Sequence, residues 1–224
     1  MRKLLPLAQG ITKWADSWYV TTTNWRVTKG TPLKLWREGY LFKITNGKLA
    51  GFTRVTFNEY DHVGDLCIYK GYLYLPLEDY IYTKPLVAIY NLDLHLIKTM
   101  IIPGIRHFPW CAVRDDILFT SEFLNVNEII KFDLNKREVR RVPLNVTLSR
   151  VQGGCWLRDK LLLSCDDKLK MIYQVDLQNE NGIVRPLIAT KIPGEMEGIY
   201  AEDNTIFCVD HDGNFWEWKL SDIT

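Results

Sequence analysis

Apolar and polar residues alternate in short runs along most of the chain, and no stretch places apolar residues at helical spacing. Ile130-Lys131-Phe132-Asp133-Leu134 and Phe215-Trp216-Glu217-Trp218-Lys219-Leu220 show the period of two that half-buried β-strands need. The runs come in sets. The clearest set begins at Gln152-Gly153-Gly154 and passes through a strand, the polar turn Arg158-Asp159-Lys160 and a second strand that ends at Asp166-Asp167. Similar sets run from Gln9-Gly10 to Asn24, from His62-Val63-Gly64 to Glu78, from Pro109-Trp110 to Glu122 and from Glu197-Gly198 to Asp210.

The lead-in motifs sit near positions 9, 63, 109, 152 and 197, at spacings of 54, 46, 43 and 45 residues. A repeat of that length with four short strands is the mark of a β-propeller. A third strand in each repeat carries an aromatic residue, Phe42, Tyr90, Phe132, Tyr173 or Trp216, expected to pack between neighbouring blades. Fourth strands are predicted over 48–53, 96–102, 138–143 and 183–188, the first after the hairpin turn Asn46-Gly47. The last repeat has only three strands, whereas Arg2-Lys3-Leu4-Leu5-Pro6-Leu7 reads like the fourth strand of another repeat. The expected fold is an all-β, five-bladed propeller of four-stranded antiparallel blades, its ring closed by the N-terminal strand completing the last blade. One propeller domain is expected over 1–224.

A net charge of +1 favours neither nucleic acid nor a membrane surface. The first sixty residues carry ten Lys or Arg against Asp16, Glu38 and Glu59, so the rest of the chain is relatively acidic. Five cysteines, with Cys67, Cys111 and Cys155 in first strands, read as small buried thiols of a reducing compartment. The apolar run at Leu4-Leu5 breaks too soon for a signal peptide, and no stretch reaches the ~20 apolar residues of a membrane span. A cytoplasmic monomer without membrane contact is expected.

In a propeller, the starts of the first strands and the ends of the second strands meet at one mouth, which is the default binding site. Gln9, His62, His107, Gln152 and Glu197 stand at the lead-ins, with Glu195 just before the last. Asn24, Glu78, Glu122, Asp166 and Asp210 end the second strands, and Asp167 and His211 follow two of them. Carboxylates brought close together need a cation, a basic partner or raised pKa values. Three readings are open. The acids accept backbone amides or pair with Arg106 and Arg150 to lock the blades; or Glu78, Glu122, Asp166 and Asp210 hold a divalent cation, calcium by their oxygens or zinc with the histidines; or a polar ligand binds without metal.

The connection from Asn24 to Gly39 is the longest and is expected to hang over the mouth with Trp25, Arg26, Trp36 and Arg37, a set able to grip an anionic or ring-bearing ligand. Tyr80, Tyr82 and Lys84 occupy the matching connection of the next repeat. Phosphate-cradling glycine loops, nucleophile elbows, Cys-x-x-Cys and His-Glu-x-x-His are all absent from the sequence, and no nucleic-acid module is present.

At His62-Val63-Gly64-Asp65, Tyr74-Leu75-Pro76-Leu77-Glu78, His107-Phe108-Pro109-Trp110-Cys111-Ala112, Val151-Gln152-Gly153-Gly154 and Glu195-Met196-Glu197-Gly198-Ile199, the chain resembles a broad group of microbial β-propeller proteins without a settled activity. More distantly, its Glu197-Gly198-Ile199 lead-in resembles those of gluconolactonase-type, phytase-like and five-bladed glutaminyl cyclase propellers, which implies channel-facing acids or metals without transferring any catalytic role to a residue. The leading expectation is a binding protein that takes a small polar or anionic ligand, or a protein segment, at its mouth. The alternative is a metal-dependent hydrolase or lactonase, with Glu78, Glu122, Asp166 and Asp210 as metal ligands and His62 or His107 as general base. A third possibility is a scaffold that meets a partner at its outer rim.

Overall fold

The structure is a computed structural model that describes residues 2–3, 5–27, 35–57, 60–79, 84–178 and 181–222. It is a five-bladed β-propeller. Blade 1 comprises Ala8–Trp14, Ser17–Val27, Leu35–Thr45 and Lys48–Arg54. Blade 2 comprises Tyr60–Val63 with Cys67–Tyr69, then Tyr72–Asp79, Leu86–Asn91 and Leu96–Ile101. Blade 3 is Ala112–Arg114, Ile117–Thr120, Val126–Asp133 and Val139–Leu148, and blade 4 is Val151–Leu157, Lys160–Cys165, Met171–Asp176 and Ile183–Ala189. Met196–Glu202, Thr205–Asp210 and Asn214–Lys219 form blade 5, whose fourth strand is Arg2–Lys3, with Arg2 opposite Phe215 and Lys3 opposite Asn214.

The turns follow from local chemistry. Asn46 and Gly47 both have positive φ, 51° and 74°, the geometry of the hairpin turn their sequence predicts. The turns between first and second strands likewise each hold a left-handed residue, at Ala15, Lys70, Asp115, Arg158 and Asp203.

Five apolar clusters fill the five seams between blades. Tyr90, Phe132, Tyr173 and Trp216 each pack in the seam facing the preceding blade, as their alternation predicts. The closing seam has the smallest buried aliphatic set, Ala8, Ile11, Val20, Ile44 and Val209. Aromatic packing supplements it: Trp18 meets Tyr200, Phe207 and Phe215 edge-on at 5.7, 5.2 and 5.2 Å. All five cysteines are free thiols.

Two details depart from the sequence-based expectation. The connection expected over 24–39 is largely a continued hairpin, because Asn24 to Val27 pair in register with Glu38 to Leu35. The side chains of Trp25, Arg26 and Trp36 lie outside the described residues, as do residues 28–34 and 80–83 with Tyr80 and Tyr82. The first strand of blade 2 is broken at Gly64-Asp65-Leu66, where the chain turns toward the ring axis.

Asp65 explains the break. Its side chain is 0% exposed, and its carboxylate accepts the N–H groups of Ile11 at 3.0 Å, Leu66 at 3.1 Å, Gly154 at 3.2 Å and Ile199 at 3.1 Å. Its own N–H donates to Pro109 O at 2.8 Å, and its carbonyl accepts Cys111 N–H at 3.1 Å. One residue thus ties all five blades at the axis. Glycines in the lead-ins make room for it. A Cβ on Gly10, Gly153 or Gly198 would lie 2.5, 2.7 or 2.6 Å from an Asp65 atom. Burial pushes the Asp65 carboxyl well up and the four amides pull it down. A protonated acid would find only donors around it, so protonation breaks a contact.

Candidate functional site

The five lead-ins converge on one cavity of about 180 Å³, lined by Gln9, His62, His107, Gln152, Glu195 and Glu197 together with Thr23, Arg37, Phe123 and His211. Of the expected site residues, it therefore gathers Gln9, His62, His107, Gln152, Glu197 and Arg37. Asn24 continues the second strand of blade 1 and is not among the lining residues.

A chain of polar contacts runs around the wall. The Glu78 carboxylate, 1% exposed, lies between two imidazoles, His107 Nδ1 at 2.7 Å and His62 Nδ1 at 3.2 Å, and also accepts the Phe108 N–H. Burial by itself raises the Glu78 pKa, but the hydrogen bonds and charges of His107 and His62 outweigh it and bring the group down to about 2. His62 Nε2 lies 2.8 Å from Gln9 Oε1, and Gln9 Nε2 donates to Ala8 O at 3.1 Å, which sets the amide's orientation. Both ring nitrogens of His62 therefore face oxygen acceptors.

His107 stacks on Phe123 at 5.1 Å, and the Arg150 guanidinium lies 5.8 Å from the Phe123 ring centre. Arg150 Nη2 reaches Asp166 Oδ2 and Glu195 Oε1, both at 2.7 Å, and Gln152 Nε2 donates to Glu195 Oε1 at 3.3 Å. On the blade 1 side, Arg37 makes a two-pronged pair with Asp61 at 3.0 and 3.3 Å. The cationic wall groups are thus matched by buried or half-buried carboxylates.

The acids that end the second strands are not drawn together. Glu122 caps the lead-in of blade 3 by accepting Arg106 N–H and His107 N–H, each at 2.9 Å. Asp166 accepts Met196 N–H at 2.8 Å and pairs with Arg150 and Lys170. Asp210 accepts Asn214 N–H at 2.8 Å, Asn214 Nδ2 at 2.9 Å and Trp216 Nε1 at 3.0 Å. Among the described residues, the group whose ligand atoms do gather, within 4.8 Å of one another, is Glu195, Glu197 and His211.

That group arises inside blade 5. Met196 pairs with Asp210, and His211 N–H donates to Glu195 O at 2.9 Å, which sets His211 beside Glu195 and Glu197. Residues 195 and 197 are two apart on an extended chain and so share a face. Burial pushes the Glu197 carboxyl up to about 8, and the Glu197 carboxylate in turn raises the pKa of His211.

No known family profile matches the chain, and no curated protein matches it by sequence. Among solved structures, a chain in the crystal structure of the mitotic checkpoint complex is similar at 14% identity and a TM-score of 0.51 over 98% of this chain. This chain spans 61% of that one. BamB from Moraxella catarrhalis is similar at 12% identity and a TM-score of 0.45, over 93% of this chain and 71% of BamB. At 14% identity the likeness to the checkpoint-complex chain concerns the fold alone, and neither comparison adds to the finer resemblance to gluconolactonase-type, phytase-like or glutaminyl cyclase propellers. Among the described residues, no helix is long and apolar enough to cross a membrane.

Proposed function

We propose that the protein is a binding propeller that takes a small polar ligand, or one polar side chain of a protein segment, at the mouth. The observation that carries this reading is the convergence of side chains from all five blades on one open cavity. Its wall is polar, with Gln9, Gln152, His107, His211, Glu195 and Glu197 among the lining residues. Because Arg37 and Arg150 already face carboxylates, a neutral or zwitterionic ligand is better supported than a strongly anionic one. The cavity is small beside the roughly 300–1,000 Å³ of drug-sized sites, which favours a compact ligand.

The hydrolase reading with Glu78, Glu122, Asp166 and Asp210 as metal ligands draws less support, because each of these acids has its own hydrogen-bond partners. A general base at His62 or His107 draws less support as well, since both rings contact Glu78 through Nδ1. The test is a thermal-shift panel of amino acids, dicarboxylates, hexose phosphates, simple amides and tetrapeptides. At several times its dissociation constant, a bound member raises the melting temperature by roughly 2–4 °C. Gln152→Ala and Glu195→Gln should reduce that shift. A panel in which nothing stabilises the protein, or in which both variants respond as the native chain does, overturns the reading.

A further inference from the structure

We propose that Glu195, Glu197 and His211 hold a divalent transition-metal ion of the zinc class on the blade 5 side of the mouth. Three ligand atoms lie within 4.8 Å of one another, and the residues line an open cavity that leaves further coordination positions to water or to a ligand atom. The contact between His211 Nδ1 and Glu197 Oε1 is informative. At 3.5 Å it lacks hydrogen-bond geometry, and Nδ1 is buried without a hydrogen-bond partner. Two ligand atoms each about 2.1 Å from a tetrahedral ion sit roughly 3.4 Å apart. The spacing that is poor for a hydrogen bond is therefore the spacing of two neighbouring ligands.

Glu197 supplies the second, independent observation. It is 3% exposed, it faces the cavity, and the partner its carboxylate meets among the described residues is His211 Nδ1, at the long distance of 3.5 Å. A buried carboxylate met at only one such long contact is costly to keep charged, and a cation beside it relieves that cost. Glu195 is oriented from behind, since both Arg150 and Gln152 contact its Oε1. Two carboxylates with one imidazole suit zinc or manganese better than calcium, which takes six to eight oxygens. The ion's role, to meet an oxygen or nitrogen of the ligand, rests on the mouth being the binding site; the ion's presence does not.

The test is equilibrium dialysis of the chelator-treated full chain against zinc chloride alone, with calcium chloride in parallel. One zinc per chain is expected, with calcium bound at least tenfold more weakly. His211→Ala and Glu197→Gln should each weaken zinc binding about tenfold or more, while Glu122→Gln leaves it unchanged. Glu195→Gln, at a half-exposed position that packing does not depend on, should weaken it as well and guards against a folding defect in the other two. Absence of zinc binding, or binding indifferent to all three ligand substitutions, overturns the inference. If zinc does not bind but the polar panel still stabilises the protein, the ion fails and the mouth reading stands. If zinc binds and no panel member does, the reverse holds.

Discussion

The Asp65 carboxylate and the Ile199 N–H are 134 positions apart in the chain and 3.1 Å apart in the ring. With Ile11, Gly154 and Leu66 on the same carboxylate, that contact fixes blades 1, 4 and 5 to blade 2. Asp65→Asn would turn an amide N–H₂ toward backbone donors and leave buried N–H groups without acceptors. Hydrogen bonds to charged groups are worth about 1.5–3 kcal/mol each, so the expected loss is on the order of 3 kcal/mol or more. For a chain of this length, that is a melting temperature lower by roughly 6–12 °C. An unchanged melt contradicts the central tie.

The glycines around Asp65 should be intolerant of a side chain where Gly51 is not. At Gly153, a methyl group would lie 2.6 Å from Ser164 Oγ and 2.7 Å from Asp65 Oδ2, whereas at Gly51 the nearest atom, Leu94 Cδ1, is 3.5 Å away. Gly153→Ala should cost roughly 2 kcal/mol or more, and Gly51→Ala less than about 0.5 kcal/mol. Urea unfolding of the two variants checks the contrast.

Closure of the ring depends on few contacts. Leu7 N–H donates to His211 O at 2.7 Å, and Leu7 O accepts Thr23 N–H at 3.1 Å, so the segment bridges blades 5 and 1. Deleting residues 1–7 should lower the melting temperature by roughly 5 °C or more. Trp18→Ala, which empties the aromatic seam, should cost about 3 kcal/mol.

Two buried carboxylates give stability opposite slopes with pH. Glu78, held at about 2 in the fold against an ordinary 4.5, contributes stability above pH 4.5 that is lost as pH falls toward 2. Glu197, raised from 4.5 to about 8, keeps more protons folded than unfolded, so its contribution is complete below pH 4.5 and is lost as pH rises toward 8. Melting temperatures should therefore fall on both sides. Glu78→Gln should flatten the acid limb and Glu197→Gln the neutral-to-basic limb. Parallel profiles for native chain and variants contradict the assignment.

The propeller was legible because its signal is repeated: five lead-ins, five aromatic third strands and one missing strand supplied from the N-terminus. The convergence of Gln9, His62, His107, Gln152 and Glu197 follows from that repeat alone. The partners of these groups were not legible. Equivalent positions in five blades are spread around the ring, so Glu78, Glu122, Asp166 and Asp210 have no reason to share an ion. The ligand set that does gather comes from within one blade, where the pairing of Met196 with Asp210 brings His211 to Glu195 and Glu197. Asp65 occurs in one repeat only, and a reading built on what recurs passes over it. The recurring glycine beside it, at Gly10, Gly153 and Gly198, was the available signal. Phe123 and Thr23 line the mouth from positions just past or within the second-strand ends and carry no pattern of their own.

The most direct test of the mouth as the binding site uses the four histidines as reporters. His62, His107 and His211 line the cavity, whereas His95 is exposed on the outer side of blade 2. Imidazole resonances of histidine-labelled protein would be followed during titration with the panel member that shifts the melt most. The account predicts that the resonances of His107 and His211 move with saturation, with His62 following through its contact with Gln9, and that His95 stays in place. Movement of His95 alone, or saturable binding with all three mouth imidazoles unmoved, would contradict it.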